Sequence, residues 1–273
     1  MVKNILFMKQ VITLFFQIYY HWNLLKGFIT RDIKGRFAAS FGGLVWTVLT
    51  PLATIISYFF VFSLVLRLTI TPEETGTDKF VIFFLCGFFP WTLFAESLSK
   101  SVGILIGESA LITKVVFPVE LLPVSAVFTT FLINSIGFVI FLFYMAFNEY
   151  LNANWFFIPV ALLIEMVFVL GLSFFLSAIC VFIRDIGELL NIVIMLWFFG
   201  TPVIYPFSMV PEEFKFIYSL NPMFEFVNFF RDIILMDTVN IHALMVMSVC
   251  ALISYCFGAW FFVRSKVAFG DVL

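Results

Sequence analysis

Long apolar segments separated by short polar ones dominate the pattern of this chain. Five windows contain no charged residue, and a sixth, residues 155–182, is interrupted only by Glu165. A helix needs about 20 mostly apolar residues to cross the roughly 30 Å of hydrocarbon in a bilayer. The second window is short, but it continues past Glu96 to Ser99. The pattern therefore predicts six membrane-spanning helices, over residues 38–66, 79–99, 121–148, 155–182, 187–209 and 240–263.

The residues before the first window follow a different pattern. Bulky apolar and aromatic residues fill most positions, and polar residues recur at helical spacing: Gln10, Thr13, Gln17 and His21. A broad apolar face with a narrow polar stripe is typical of a helix that lies in the membrane interface. The pattern predicts such a helix over residues 4–30. The alternative is a seventh span, which would have to fit between Lys9 and Lys26.

A third pattern occupies residues 212–236, which are too polar for an ordinary span. Pro211 followed by Glu212 and Glu213 is typical of a helix start. The Asn-Pro pair at 221–222 interrupts the segment, and a second apolar run follows it. We expect two short helices that enter the outer leaflet and return. Backbone breaks at that depth are tolerated only against protein or a water-filled cavity.

Composition and charge agree with a membrane protein. Hydrophobic residues make up 63% of the 273 residues and charged residues only 12%, against about 25% charged in an ordinary soluble domain. The segments on one side of the predicted membrane, beginning with the N-terminus, hold all but four of the 15 Lys and Arg residues. Because positive charge is concentrated in cytoplasmic segments, both termini are predicted to be cytoplasmic. The predicted fold class is an all-α membrane protein, with a single transmembrane domain over residues 1–273.

Residue patterns for catalysis or metal binding are absent from the sequence. It contains no Gly-x-x-x-x-Gly-Lys-Ser/Thr loop, so the chain is not expected to bind or hydrolyse a nucleotide by itself. The four cysteines lie inside predicted spans without metal-ligand spacing, and the two histidines are far apart. Glu165 lies near the predicted bilayer centre, where a charge is costly. Its role is either a hydrogen bond within the bundle or a part in transport. We predict no catalytic site and no metal site.

Two sets of residues have chemistry suited to a polar substrate. Tyr58, Trp91 and Tyr205 combine an aromatic face with a hydrogen-bonding group, as sugar rings require, although membrane-interface aromatics have the same features. A basic cluster lies where the N-terminal helix meets the first span. It suits either anionic lipid headgroups or the phosphate of a lipid-linked substrate, and its members are Lys26, Arg31, Lys34 and Arg36.

Several motifs occur in an order that resembles a known family. They are RDIKGRFAASFGGLVW at 31–46, TPL at 50–52, ALITKVVFP at 110–118, ELLP at 120–123, RDI at 184–186, TPVIYP at 201–206, LNP at 220–222 and AFGDVL at 268–273. Together they resemble the membrane (permease) subunit of bacterial ABC transporters that export cell-surface polysaccharides such as O-antigen, capsule or teichoic acid. The resemblance covers nearly the whole chain and does not identify the glycan.

The resemblance implies an assembly and an activity. Such subunits are homodimers with six spans each, paired with two copies of a cytosolic ATP-binding subunit that holds ATP and Mg. By this resemblance the chain is not an enzyme, binds no cofactor or nucleic acid itself, and lies among the lipids of the bacterial inner membrane. Its expected substrate is a polyprenyl-diphosphate-linked polysaccharide, and O-antigen is the glycan that we expect first. Trp46, in the first motif, joins Tyr58, Trp91 and Tyr205 as an expected substrate-path residue, and residues 212–236 are the expected external gate.

Two alternative functions stay open at this point. The chain could be the permease of an ABC exporter for a drug or a small lipid, which would accept short substrates without sugars. It could also be a membrane transferase acting on polyprenyl-linked sugars, for which the sequence offers no convincing acid–base set.

The cytoplasmic stretch between the second and third predicted spans is the expected contact with the ATP-binding subunit. A short coupling helix is predicted over residues 108–117, with an apolar ridge that can enter a cleft on a partner. A plain solvated loop is the alternative. The expected contact residues include this ridge, its flanking charges and a second, smaller loop: Glu108, Leu111, Ile112, Lys114, Val115, Phe117, Arg184 and Asp185.

Overall fold

The structure, a computed structural model, describes residues 14, 16, 17, 19–37 and 42–273. Most of the predicted interfacial segment 4–30 before Trp22, and the first residues of the predicted span 38–66, lie outside the described residues. In the residues that the structure describes, the regular structure is helical apart from an isolated bridge between Thr69 and Lys79. The predicted all-α class is confirmed. We number the helices of eight or more residues α1 Trp22–Phe37, α2 Trp46–Phe59, α3 Phe80–Val102, α4 Leu121–Phe147, α5 Ile158–Phe182, α6 Ile186–Phe199, α7 Glu212–Ser219, α8 Pro222–Leu235 and α9 Ile241–Ser265.

Among the residues that the structure describes, five helical stretches are long and apolar enough to cross a membrane. They are Trp46–Val65, Phe80–Val102, Leu121–Phe147, Ala153–Phe182 and Ile241–Val272. The first includes a π-helical end, Phe60–Val65, and the fourth a 3₁₀ turn, Ala153–Phe157. The remaining predicted span, 187–209, contains α6, whose 14 residues extend roughly 21 Å at 1.5 Å per residue. Helix α6 alone is therefore shorter than a full crossing, and the predicted span 187–209, fifth in chain order, stays a prediction.

Helix α3 lies at the centre of the bundle. In its apolar window 78% of the residues are buried, and it contacts α4, α5 and α8. Phenylalanine rings fill the contacts: Phe89 packs against Phe138 of α4, and Phe94 stacks with Phe168 of α5. The apolar run of the sequence is thus buried against protein here rather than exposed to lipid.

Helices α5 and α9 pack unusually closely. A Cβ atom on Gly171 would collide with the backbone of Ser254, and one on Gly258 would collide with the backbone of Gly171. The hydroxyl of Ser254 donates a hydrogen bond to the carbonyl of Phe168 at 2.8 Å. Small residues that bring two helix backbones together are a common means of association inside membranes.

Helix α2 lies at the edge of the bundle. No residue in the most apolar part of the stretch Trp46–Val65 is buried. It meets α4 where Pro51 approaches Gly137, and a Cβ on that glycine would lie 2.6 Å from the proline Cβ. A glycine is required at this contact, and most of the remaining surface of α2 is uncovered within the described chain.

Helices α7 and α8 are separated at the Asn-Pro pair that the sequence marks as a break. The side chain of Asn221 accepts a hydrogen bond from the backbone N–H of Met223 at 3.0 Å, and Pro222 is the first residue of α8. An asparagine cap followed by proline is a favourable helix start. Helix α8 is largely buried against α3 and α9, whereas α7 has no buried residue.

Candidate functional site

The predicted coupling segment is a short helix with an exposed apolar end. The helix spans Ser109–Lys114, and the backbone is extended at Val115. Leu111 and Ile112 are half-buried against the core, whereas the side chain of Val115 is 50% exposed and that of Val116 is fully exposed. The accessible apolar surface is therefore at Val115, which belongs to the predicted ridge, and at Val116, rather than at Leu111 and Ile112. Val116 was not among the predicted contact residues.

Ion pairs join this segment to its neighbours in the fold. Arg31 of α1 pairs with Glu108, and Asp32 of α1 pairs with Lys100 near the end of α3. Aromatic packing supports the same contact, because the ring of Phe28 lies 5.8 Å from that of Phe117. Helix α1 is thus connected by charge and by packing to both ends of the connection between α3 and the coupling helix.

A third ion pair connects the beginning of α4 to the C-terminal region. Lys266 Nζ lies 3.6 Å from a carboxylate oxygen of Glu120, whose side chain is only 2% exposed. Burial strengthens an ion pair by excluding solvent, but it also costs desolvation. The contact places the C-terminal segment beside the connection between the predicted coupling helix and α4.

The four predicted basic residues do not form one free cluster. Arg31 is engaged by Glu108, and Lys26 lies over the ring of Trp22 at 5.4 Å. Lys34 is exposed, and Arg36 lines a cleft that also includes Trp46. The second predicted partner-contact loop, Arg184–Asp185, immediately precedes α6, and both residues are exposed.

The predicted substrate-path aromatics lie in three separate places. Trp46 and Tyr58 are both on the helical stretch that starts with α2 and line one shallow groove there. Trp91 is buried and packs against Phe198 of α6. Tyr205 lies in the turn after α6, where its hydroxyl contacts the Phe199 carbonyl at 2.5 Å and the Tyr218 hydroxyl at 2.7 Å. Only the first two share a surface.

The turn that carries the TPVIYP motif is held by two side chains from outside it. Asn221 donates to the carbonyl of Gly200 at 3.0 Å and accepts a hydrogen bond from the Trp197 indole at 2.7 Å. Arg231 donates to the carbonyls of Pro202 and Val203 at 2.6 and 2.7 Å. The LNP motif and α8 therefore position the TPVIYP motif, which sequence order alone does not reveal.

A polar cavity of about 570 Å³ lies beside this turn, between α8, the short helix Pro72–Thr75 and the start of α9. Its lining includes Glu74, Glu225, Asp232 and His242. Burial, reinforced by Glu225, raises the pKa of Asp232 to about 6, and Arg231 opposes the shift. Burial also raises the pKa of Glu225, against the effect of His242. The packing around α8 therefore affects the pH at which Asp232 and Glu225 take up a proton.

Glu165 is completely buried in α5. Neither of its carboxylate oxygens has a hydrogen-bond partner among the residues that the structure describes. The same part of the chain contains no group of three or more potential metal ligands, and its cysteines are unpaired. The contacts of Glu165 therefore do not distinguish a hydrogen bond within the bundle from a part in transport.

Comparison with known proteins agrees with the motif-based resemblance. Residues 23–235 match the ABC-2 type transporter family. The chain is 30% identical over 257 residues to an O-antigen export system permease protein RfbA of Klebsiella pneumoniae, covering 93% of this chain and 96% of that protein. A protein of the same name from Myxococcus xanthus is 33% identical over 214 residues, covering 76% of this chain and 78% of its own. With most of its length inside the matched region, the chain belongs to the ABC-2 type transporter family.

Proposed function

We propose that this protein is the membrane subunit of an ATP-driven exporter that moves a lipid-linked O-antigen polysaccharide from the cytoplasm across the inner membrane. The observation that carries the proposal is similarity along almost the whole chain to permeases named for O-antigen export. The apolar helices supply the membrane-embedded part. The sequence lacks a nucleotide-binding loop, which fits a chain that depends on a separate ATP-binding subunit.

The proposed topology has six spans with both termini in the cytoplasm. Helix α6 with the turn after it serves as the fifth span, and α7 and α8 enter the outer leaflet as an external gate. The N-terminal helix lies in the cytoplasmic interface. The distribution of Lys and Arg supports this orientation, and the hydrogen bonds of Asn221 and Arg231 support an irregular turn shielded by protein.

The proposed assembly is a homodimer bound to two ATP-binding subunits. The exposed span that begins with α2 supports the dimer, because Thr50 and Ser57 on its uncovered surface would otherwise face lipid. A second copy of the chain would enclose these polar positions, together with Trp46 and Tyr58, along a substrate path. Lys34 and Arg36 remain candidates for contact with the diphosphate at its cytoplasmic entrance.

The ATP-binding subunit is proposed to receive the coupling helix Ser109–Lys114 and the apolar residues that follow it. ATP and Mg would be held by that subunit alone. Exposed apolar side chains at Val115 and Val116 fit a cleft on a protein partner better than they fit solvent. Arg184 and Asp185 would add a smaller contact at the second loop.

Deletion and restoration of the gene test this function. In the source bacterium, loss of the protein should remove O-antigen from the cell surface and leave lipid-linked polymer inside, as measured by electrophoresis of lipopolysaccharide and of an intracellular lipid extract. The restored gene should reverse both effects. Surface O-antigen that is unchanged by the deletion, or a deletion that alters only resistance to small compounds, would contradict the proposal.

A further inference from the structure

We propose that a cleft between α2, α3 and α4 binds a single sugar ring of the exported polymer at membrane depth. The proposal rests on the export function above and adds a location and a chemistry for substrate contact. The cleft has a volume of about 160 Å³ and lies along helices that contribute three of the five apolar spans. Arg36 is at its cytoplasmic end in the proposed topology.

The polarity of this cleft is unusual for its surroundings. Its walls include Thr50 and Thr54 of α2, Thr92 and Glu96 of α3, and Asn134 of α4. Polar side chains within membrane-spanning helices are costly and generally face a protein interior or a water-filled cavity. Five polar side chains from three helices converging on one cleft indicate a site that accommodates a polar group.

The hydrogen bonds within the cleft leave it rich in acceptors. The hydroxyl of Thr54 donates to the carbonyl of Thr50 at 3.0 Å, and that of Thr92 donates to the carbonyl of Phe89 at 2.9 Å. The amide nitrogen of Asn134 donates to a Glu96 oxygen at 2.9 Å and to the carbonyl of Thr130 at 3.2 Å. The donors of Thr54, Thr92 and Asn134 are thus used locally, whereas the lone pairs of the two hydroxyls and Glu96 Oε1 are acceptors that these hydrogen bonds do not use. A ligand that contacts these five side chains must therefore supply donors, whereas Arg36, at the cytoplasmic end of the cleft, is itself a donor.

A sugar ring meets this requirement better than the acyl chain or the diphosphate of a lipid-linked substrate. An acyl chain has no donor, and a diphosphate offers acceptors, whereas each sugar hydroxyl can donate. Trp46, Phe88 and Phe89 add aromatic surface for the C–H face of a ring. The volume also agrees, because an engineered protein cavity of about 150 Å³ holds one benzene ring.

The same three helices enclose a second, apolar cavity toward their external ends in the proposed topology. It has a volume of about 310 Å³ and is lined by aliphatic and aromatic side chains such as Phe59, Ile140 and Phe141. Both cavities lie between α2, α3 and α4, but the second is about twice as large and is lined mostly by apolar side chains. The apolar cavity therefore serves as an internal control, and we expect it to contact acyl chains.

Photocrosslinking in cells that make the polymer tests the assignment. The photoreactive residue p-benzoylphenylalanine replaces Phe88 in the polar cleft or Phe59 in the apolar cavity, in the full chain expressed with its ATP-binding subunit. After irradiation, we expect a glycan ladder attached to the permease for position 88 and none for position 59, as detected by periodate oxidation and hydrazide labelling. Absence of glycan at position 88 in an exporting variant, equal glycan at both positions, or a crosslink only to a second permease would overturn the assignment.

Substitutions in the cleft provide a second measurement. Thr92→Val and Asn134→Leu should each reduce surface polymer at limiting substrate by about fivefold, the effect of one lost hydrogen bond. Ile140→Val, in the apolar cavity, should leave export unchanged at the same amount of protein in the membrane. If the wild-type gene restores export and all three variants match it, the cleft assignment is wrong. If the wild-type gene restores none, the export function itself fails, and this inference fails with it.

Discussion

Replacing Arg231 by methionine should detach α8 from the turn that follows α6. Arg231 is 5% exposed, and its guanidinium donates to the carbonyls of Pro202 and Val203. Methionine fills much of the same space but donates nothing, so both carbonyls lose a partner. An unsatisfied buried polar group costs about 1–3 kcal/mol, which gives about 2–6 kcal/mol for the two. Because the variant no longer buries a charge, part of this cost is offset, and we expect a net destabilisation of about 3 kcal/mol.

Thermal unfolding of the purified protein in detergent measures this effect. For a chain of this length, 1 kcal/mol corresponds to a change in Tm of about 2–4 °C, so Arg231→Met should lower Tm by about 6–12 °C. Lys215→Met is the matched control, since Lys215 makes an exposed ion pair with Glu212 that contributes about 0–1 kcal/mol. Equal Tm values for Arg231→Met and the wild type would refute the reasoning. They would mean that the two carbonyls find other partners.

Three further predictions concern the surfaces that the proposed topology places in the cytoplasm and outside. Arg31→Glu and Glu108→Arg should each lower substrate-stimulated ATPase activity of the complex by up to about fivefold, and the double exchange should restore it; no recovery would argue against the ion pair. Val116→Asp should weaken co-purification of the ATP-binding subunit by about tenfold, because it places a charge in an apolar contact, and undiminished co-purification would remove Val116 from that contact. Asp232 has its pKa raised from 3.8 to about 6 in the folded protein, so folding binds a proton between these values and Tm should fall as the pH rises from 4 to 6. Asp232→Asn should reduce this slope, and an equal slope in both proteins would exclude Asp232 as its source.

The helical architecture follows from the sequence to a large extent because hydrocarbon tolerates so few charges. Uncharged windows such as 121–148 coincide closely with helices such as Leu121–Phe147. Turn chemistry is equally local: the Asn-Pro pair at 221–222 separates α7 from α8. Both signals depend on residues near one another in sequence.

Contacts between distant residues could not be predicted in the same way. Arg31 and Glu108 are 77 positions apart, and no periodicity in either segment reveals their pairing. The charge distribution by itself assigns Arg231 to the external side and indicates no partner for it, although an arginine in the run FVNFFRDIIL is a signal of burial with a specific partner. The acceptor-rich cleft arises from residues on three helices, each of which taken alone has only isolated threonines, a glutamate or an asparagine.

The close packing of Gly171 and Gly258 also constrains how this molecule can move. Two helices whose backbones touch cannot slide or rotate past each other without a steric clash, so α5 and α9 should shift as one rigid body. Any motion that widens the protein for a polymer must then occur at a looser boundary. Helix α2, with no buried residue in its apolar window, provides that boundary. A disulfide between α5 and α9 should therefore be compatible with transport, whereas one that fixes α2 to α4 should stop it.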